Sequence, residues 1–159
     1  MQISVDDPLR DDVVRLLEEH LADMRATSPP ESVHALDPHA LVGPGLTFWT
    51  LRDDGLLLGC AALKELDPRH AEIKSMRTEA VARRRGVAGR LLDHVVSVAR
   101  ERGYQRLSLE TGTQEFFAPA WALYVSRGFT TCGPFGSYVP DPNSLFFTTS
   151  LAQGPDPLP

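Results

Sequence analysis

The residues with the most chemistry in them are consecutive: Arg83-Arg84-Arg85-Gly86-Val87-Ala88-Gly89. They stand between a strand-like run and the longest amphipathic stretch of the chain, Val87 to Arg102. A helix that starts here leaves backbone N–H groups without intrahelical partners and carries about half a positive charge at that end. Small residues at Gly86, Ala88 and Gly89 let an anion come close to that backbone, and three arginines add mobile positive charge beside it. The chemistry implied is the binding of a diphosphate. Two common phosphate motifs do not fit: Gly89 is followed by Arg90-Leu91, not by Lys-Ser/Thr, and no GxGxxG is present.

The surrounding elements must hold this segment in place. Leu9, Val13, Leu16, Leu17, Leu21 and Met24 recur at three- and four-residue intervals, which predicts a first helix over Pro8 to Met24, stopped by Ser28-Pro29-Pro30. Asp37 is placed to cap a short helix over Pro38 to Val42. Thr47–Arg52 and Leu56–Leu63 flank Asp53-Asp54-Gly55 and predict a hairpin, with Glu72–Thr78 as its third strand. Alternation along that third strand puts Glu72, Lys74, Met76 and Thr78 on one face and Ile73, Ser75 and Arg77 on the other. After the long helix come a strand at Arg106–Thr111, parallel to the one before it, a helix at Pro119–Arg127, and strands at Phe129–Cys132 and Leu145–Leu151. This order predicts a mixed sheet covered by helices.

Whole-chain properties narrow the class. A chain of 159 residues with 42% hydrophobic and 23% charged residues has the composition of a folded globular protein. It reads as one domain over residues 1–151 with a frayed, proline-rich tail at 152–159. Sixteen basic against 21 acidic residues, net −5, argue against a nucleic-acid partner. The N-terminus has neither the basic nor the apolar region of a signal peptide, and no run approaches a membrane span. Cys60 and Cys132, far apart and outside any CxxC spacing, are expected to be reduced thiols; a cytoplasmic location is the expectation.

Arg83-x-x-Gly86-x-Ala88 fits the R/Q-x-x-G-x-G/A signature of the GNAT superfamily of N-acetyltransferases, which the chain resembles from about Leu9 to Leu151 in element order as well as motif. A second feature of that family is matched by Ala120, Tyr124, Gly128 and Phe129 in the pattern Ala-x-x-x-Tyr-x-x-x-Gly-Phe. The resemblance implies an α/β fold of the α+β type: a mixed, largely antiparallel sheet with a splayed parallel strand pair and helices on both faces. It implies acetyl-CoA as co-substrate, its diphosphate on the backbone amides of Arg84 to Gly89, with Arg83, Arg84, Arg85, Gly86, Val87, Ala88 and Gly89 as the cofactor-binding segment. Met76, Arg77 and Thr78 would run beside the pantetheine arm, and a backbone N–H at Arg77 or Thr78 would face the oxyanion. Many members carry an asparagine after the strand equivalent to Arg106–Thr111; this chain has Thr111-Gly112-Thr113-Gln114, with Thr113 or Gln114 as the substitute.

The resemblance also places Tyr124 near the thioester sulfur, where a phenol of pKa about 10 can protonate a departing thiolate. A packing role in the core is the alternative. An amine must be neutral to attack, and Glu110, Glu72, Glu79 and His34 are the candidates to take its proton, with release to water as the alternative. Acceptor specificity in the family comes from the region between the first two helices and from the last loop. Here those supply Arg25, Glu31, Ser32 and His34, then Phe135, Tyr138, Asp141 and Asn143. His34 and His39 lack metal spacing, so no metal is expected. The expected partner is a small-molecule amine, with a homodimer left open. Acetylation of protein N-termini or lysines, and acyl-CoA sensing without catalysis, are the rival readings.

Overall fold

The computed structural model describes residues 1–27, 29 and 38–151. The elements are β1 (Gln2–Val5), α1 (Asp11–Thr27), a 3-10 turn at Pro38–Leu41, β2 (Leu46–Asp53), β3 (Leu56–Asp67), β4 (His70–Thr78), a 3-10 turn at Ala80–Ala82, α2 (Val87–Glu101), β5 (Arg106–Gly112), α3 (Ala118–Ser126), β6 (Thr130–Cys132) and β7 (Ser144–Ser150). Seven strands form one sheet in the order β1-β2-β3-β4-β5-β7-β6. Every neighbouring pair is antiparallel except β4–β5. Among the described residues, no helix is long and apolar enough to cross a membrane.

Two apolar clusters lie on opposite faces of the sheet. On one face Val87, Leu91, Leu92, Val95 and Ala99 of α2 pack against Ala61, Leu63, Ile73, Leu107 and Leu109. On the other, Val13, Leu16 and Leu17 of α1 pack against Phe48, Leu57, Cys60 and Ala62. Each fully buried aliphatic side chain contributes about 1.5–3 kcal/mol, so α2 is held rigidly. Its approach to β3 is close: a Cβ at Gly59 would stand 2.8 Å from Val87 Cγ1 and 2.9 Å from the Arg77 carbonyl. That contact fixes where the N-terminus of α2 begins.

The parallel pair is short, and this makes the site. β4 and β5 are in register only from His70↔Arg106 to Ile73↔Leu109. Beyond that, Lys74 to Thr78 follow β3, while Glu110 to Gly112 stay with β7. The sheet opens into a V, closed at its narrow end by a 2.7 Å contact between His70 Nε2 and Ser108 Oγ.

β4 departs from the alternation expected of it. The β3–β4 register jumps from Cys60↔Arg77 to Ala62↔Lys74, so Ser75 and Met76 together oppose Ala61. Ser75 has φ +54°, and its carbonyl accepts the Cys60 thiol at 3.3 Å. This is a β-bulge, and an extra residue reverses the faces beyond it. Met76 therefore packs with Ile73 on the α2 side, and the assignment of Glu72 to the same face as Met76 and Thr78 is corrected. Arg77 turns to the α1 side, where it bonds Asp23.

Other boundaries differ for local reasons. Pro8 is not the first residue of α1: the Asp7 carboxylate accepts the Leu9 N–H at 2.9 Å and its carbonyl the Arg10 N–H at 3.2 Å, which makes a turn before the helix starts at Asp11. β1 was not expected; it is a four-residue edge strand with mostly exposed residues, which carries little hydrophobic signal.

Candidate functional site

Two cavities meet across the open end of the V. The larger, about 580 Å³, runs from the start of α2 along β4 to α3; Met76, Arg77, Thr78, Arg83, Arg84, Gly86, Val87, Ala88, Gly89 and Tyr124 all line it. The smaller, about 70 Å³, lies towards α1 and is lined by Glu72, Lys74, Glu110 and Tyr138, among others. His20, Met76 and Tyr124 line both.

The N-terminal end of α2 has the form the arginine-glycine segment implied. The first backbone bond there runs from Arg90 N–H to Gly86 O at 3.1 Å, so the amides from Gly86 to Gly89 are not used by the helix. Gly86 sits at φ +78°, a left-handed conformation that glycine adopts without strain. Nothing lies within 4 Å of where its Cβ would be, so an anion can approach the backbone. A diphosphate fits this cradle. Arg83 and Arg84 border it. Arg85 does not: its guanidinium points back to Asp53, 3.4 Å away, and its N–H bonds Ala82 O at 3.3 Å. Gly89 has a second duty, since a Cβ there would stand 2.9 Å from the Arg127 guanidinium of α3.

Tyr124 of α3 is 7% exposed, with its ring against Phe129 and Phe147. Burial pushes its phenol well above the ordinary value, so it stays protonated. Among the described residues its hydroxyl has no hydrogen-bond partner. A buried proton donor without a partner, at the junction of two cavities, can serve a group arriving from either side.

In the smaller cavity, Glu72 Oε2 accepts bonds from Tyr138 OH at 2.6 Å and from Lys74 Nζ at 3.2 Å. Glu110 Oε2 accepts the Ser144 hydroxyl at 2.8 Å. Tyr138 is held by the rings of Phe135 and Phe146, and burial beside Glu72 raises its pKa far above an ordinary phenol's. Two of the three carboxylates singled out as candidate bases, Glu72 and Glu110, thus face the cavity. Glu79 does not line it; burial raises its pKa.

Several expected positions lie elsewhere. Thr113 lines neither cavity: its hydroxyl donates to Pro142 O at 3.1 Å, and the Gln114 amide to Asn143 at 3.1 Å. Beside them the backbone approaches closely at Gly112, where a Cβ would fall 2.3 Å from the Phe117 ring. Phe117 takes the space beside the strand end and itself lines the larger cavity. Arg25 is exposed in the last turn of α1 and is not among the residues lining either cavity. Glu31, Ser32 and His34, and the 152–159 tail, fall outside the described residues.

His20 and Lys74 were not singled out from sequence. His20 follows Leu16 by four residues and Leu17 by three, so helical spacing alone puts it on the sheet-facing side of α1. Its Nδ1 is buried without a partner. Burial, and the Arg77 charge beside it, push its pKa down to about 4.

With this geometry in view, the relatives are informative. The sequence profile of the Acetyltransferase (GNAT) family matches residues 13–129. The uncharacterized N-acetyltransferase YsnE of Bacillus subtilis (strain 168) is 53% identical over 151 residues, covering 95% of this chain and all, 100%, of its own. The IAA acetyltransferase of Azospirillum brasilense is 39% identical over 153 residues, 94% of this chain and 97% of that one. A crystal structure of an aminoglycoside 6'-N-acetyltransferase complexed with coenzyme A superposes with a TM-score of 0.70 at 16% identity, covering 98% of this chain and 100% of the other. Family match, relatives and fold agree: the chain belongs to the GNAT family of acetyltransferases and is an acyltransferase of the N-acetyltransferase kind.

Proposed function

We propose that the enzyme transfers the acetyl group of acetyl-CoA directly to a primary amine of a small molecule, with both bound at once. The observation that carries this reading is the meeting of the two cavities at Met76 and Tyr124. One is long and ends in a diphosphate cradle; the other is small and lined by charged groups. A thioester laid along β4 puts its carbonyl at the junction, open to an amine from the other side.

Each group then has a task. The amides at the start of α2, with Arg83 and Arg84, hold the diphosphate. The backbone of Met76 to Thr78 lies along the pantetheine arm, and a β4 backbone N–H beside the bulge faces the developing oxyanion. Glu110 or Glu72 takes the proton from the incoming ammonium. The free amine attacks the carbonyl carbon, the C–S bond breaks, the Tyr124 phenol gives its proton to the sulfur, and the second proton of the attacking nitrogen leaves as the amide forms and restores the phenol. A direct transfer is favoured because neither cysteine stands at the junction: Cys60 is buried under the bulge with its pKa raised to about 12, and Cys132 is on β6. The small cavity favours a small acceptor over a peptide in a groove.

The test is amine-dependent release of coenzyme A from acetyl-CoA, followed with a thiol reagent across an amine panel. Acetyl-CoA binding without release on any amine would make the protein a binder and not a catalyst on such acceptors.

A further inference from the structure

Resting on that reading, the smaller cavity goes on to specify the acceptor. We propose that the acceptor amine also bears a carboxylate, and that Lys74 is the residue that recognises it.

Glu72 and Lys74 stand two residues apart on one face of β4 before the bulge, and their side chains are only 3% and 8% exposed. Lys74 Nζ donates to Glu72 Oε2 at 3.2 Å and to Tyr138 OH at 3.0 Å. An ammonium has three protons, so one remains after these two bonds. Tyr138 OH gives its own proton to the same Oε2. That oxygen is therefore saturated, while the described residues offer no partner to Oε1. One positive and one negative group thus stand side by side, each with bonding capacity left over, on the wall of a cavity of about 70 Å³.

A pair of this kind does little for folding, because desolvation offsets most of the attraction and apolar residues of similar size do as well. Its geometry is instead the complement of a zwitterion: an acceptor carboxylate on the free proton of Lys74, and the acceptor ammonium towards Glu72. A simple monoamine could pair with the carboxylates of Glu72 and Glu110 but would leave the remaining proton of Lys74 without a partner. The arrangement is also set in advance. Tyr138 is pinned between Phe135 and Phe146, its ring lies 5.5 Å from Lys74 Nζ, and so the ammonium has little freedom to move aside. The cavity has room for the head group of a 2-amino acid.

The test uses matched acceptors that differ only in this charge: 2-amino acids against their methyl esters and against the amines left when the carboxylate is removed. For the wild-type enzyme, kcat/KM for the acid of at least one pair should exceed that for its ester by at least about tenfold. Lys74→Met should bring the ratio to about one, chiefly by raising KM for the acid, and Lys74→Arg should keep part of the preference. If esters or decarboxylated amines serve as well as acids, or Lys74→Met slows both members of a pair equally, the lysine is only a counter-ion of Glu72 and the proposal is wrong. It is also wrong if no pair supports turnover although calorimetry shows acetyl-CoA bound. Absence of acetyl-CoA binding would instead sink the transferase reading, and this inference with it.

Discussion

Tyr124→Phe separates proton donation from packing more cleanly than most substitutions can. The ring contacts with Phe129 and Phe147 survive the change, so no cavity opens in the core. The hydroxyl has no partner among the described residues, so its removal breaks no hydrogen bond. Loss of an unpaired hydroxyl that faces the cavities should leave stability within about 1 kcal/mol of wild type. Acetyl-CoA affinity should likewise stay within about threefold. Turnover is another matter. A positioned proton donor contributes roughly 10²–10⁴-fold, and the low end applies here because a thiolate is already a good leaving group. A fall in kcat of about a hundredfold, or ~2.7 kcal/mol of barrier, is predicted. The assay is steady-state release of coenzyme A, with urea denaturation and calorimetry on the same preparations. Because burial keeps the phenol protonated, the wild-type rate should show no decline from this group between about pH 7 and 10. Turnover within twofold of wild type would refute the reasoning and leave Tyr124 as a core residue. So would a loss of turnover matched by a loss of stability.

Two further perturbations address the cradle and α1. Gly86→Asp puts a negative charge against the diphosphate; the left-handed backbone costs about 1–2 kcal/mol of stability, and open space at the Cβ lets the fold survive. Acetyl-CoA binding should weaken more than about tenfold, at least ~1.4 kcal/mol, and undiminished affinity by calorimetry would count against the site. His20 has its folded pKa lowered to about 4 from 6.5. The unfolded chain therefore takes up a proton first as pH falls, and the stability present above pH ~6.5 is lost progressively towards pH ~4, on the order of 2–3 kcal/mol in all. His20→Gln should flatten urea-derived stability across that window, and parallel curves for the two proteins would contradict the placement.

The diphosphate cradle could be read from the sequence because its physical requirements are local. It needs small residues, positive charge and the start of an amphipathic helix, and Arg83 to Arg102 shows all three in one stretch. The junction of the cavities could not be read so directly. It depends on where β4 and β5 stop pairing, which follows from β4 staying with β3 and β5 with β7. Nor does alternation reveal a bulge, because one inserted residue at Ser75-Met76 reverses every face beyond it without altering composition. Nothing local marks Lys74, because its partner Tyr138 lies 64 residues away in the chain. Arg85 illustrates the opposite error: three adjacent arginines suggest one shared duty, yet Asp53 on the neighbouring hairpin draws the third one off.

The proposed transfer requires a diphosphate seated against the free amides at the start of α2. Calorimetric titration of the folded protein with acetyl-CoA and, separately, with acetyl-pantetheine, which has the thioester arm but no diphosphate, tests this most directly. One-to-one binding of acetyl-CoA, with acetyl-pantetheine weaker by at least about tenfold, is the predicted result. Equal affinity for the two, or no heat from acetyl-CoA at millimolar concentration, would contradict it.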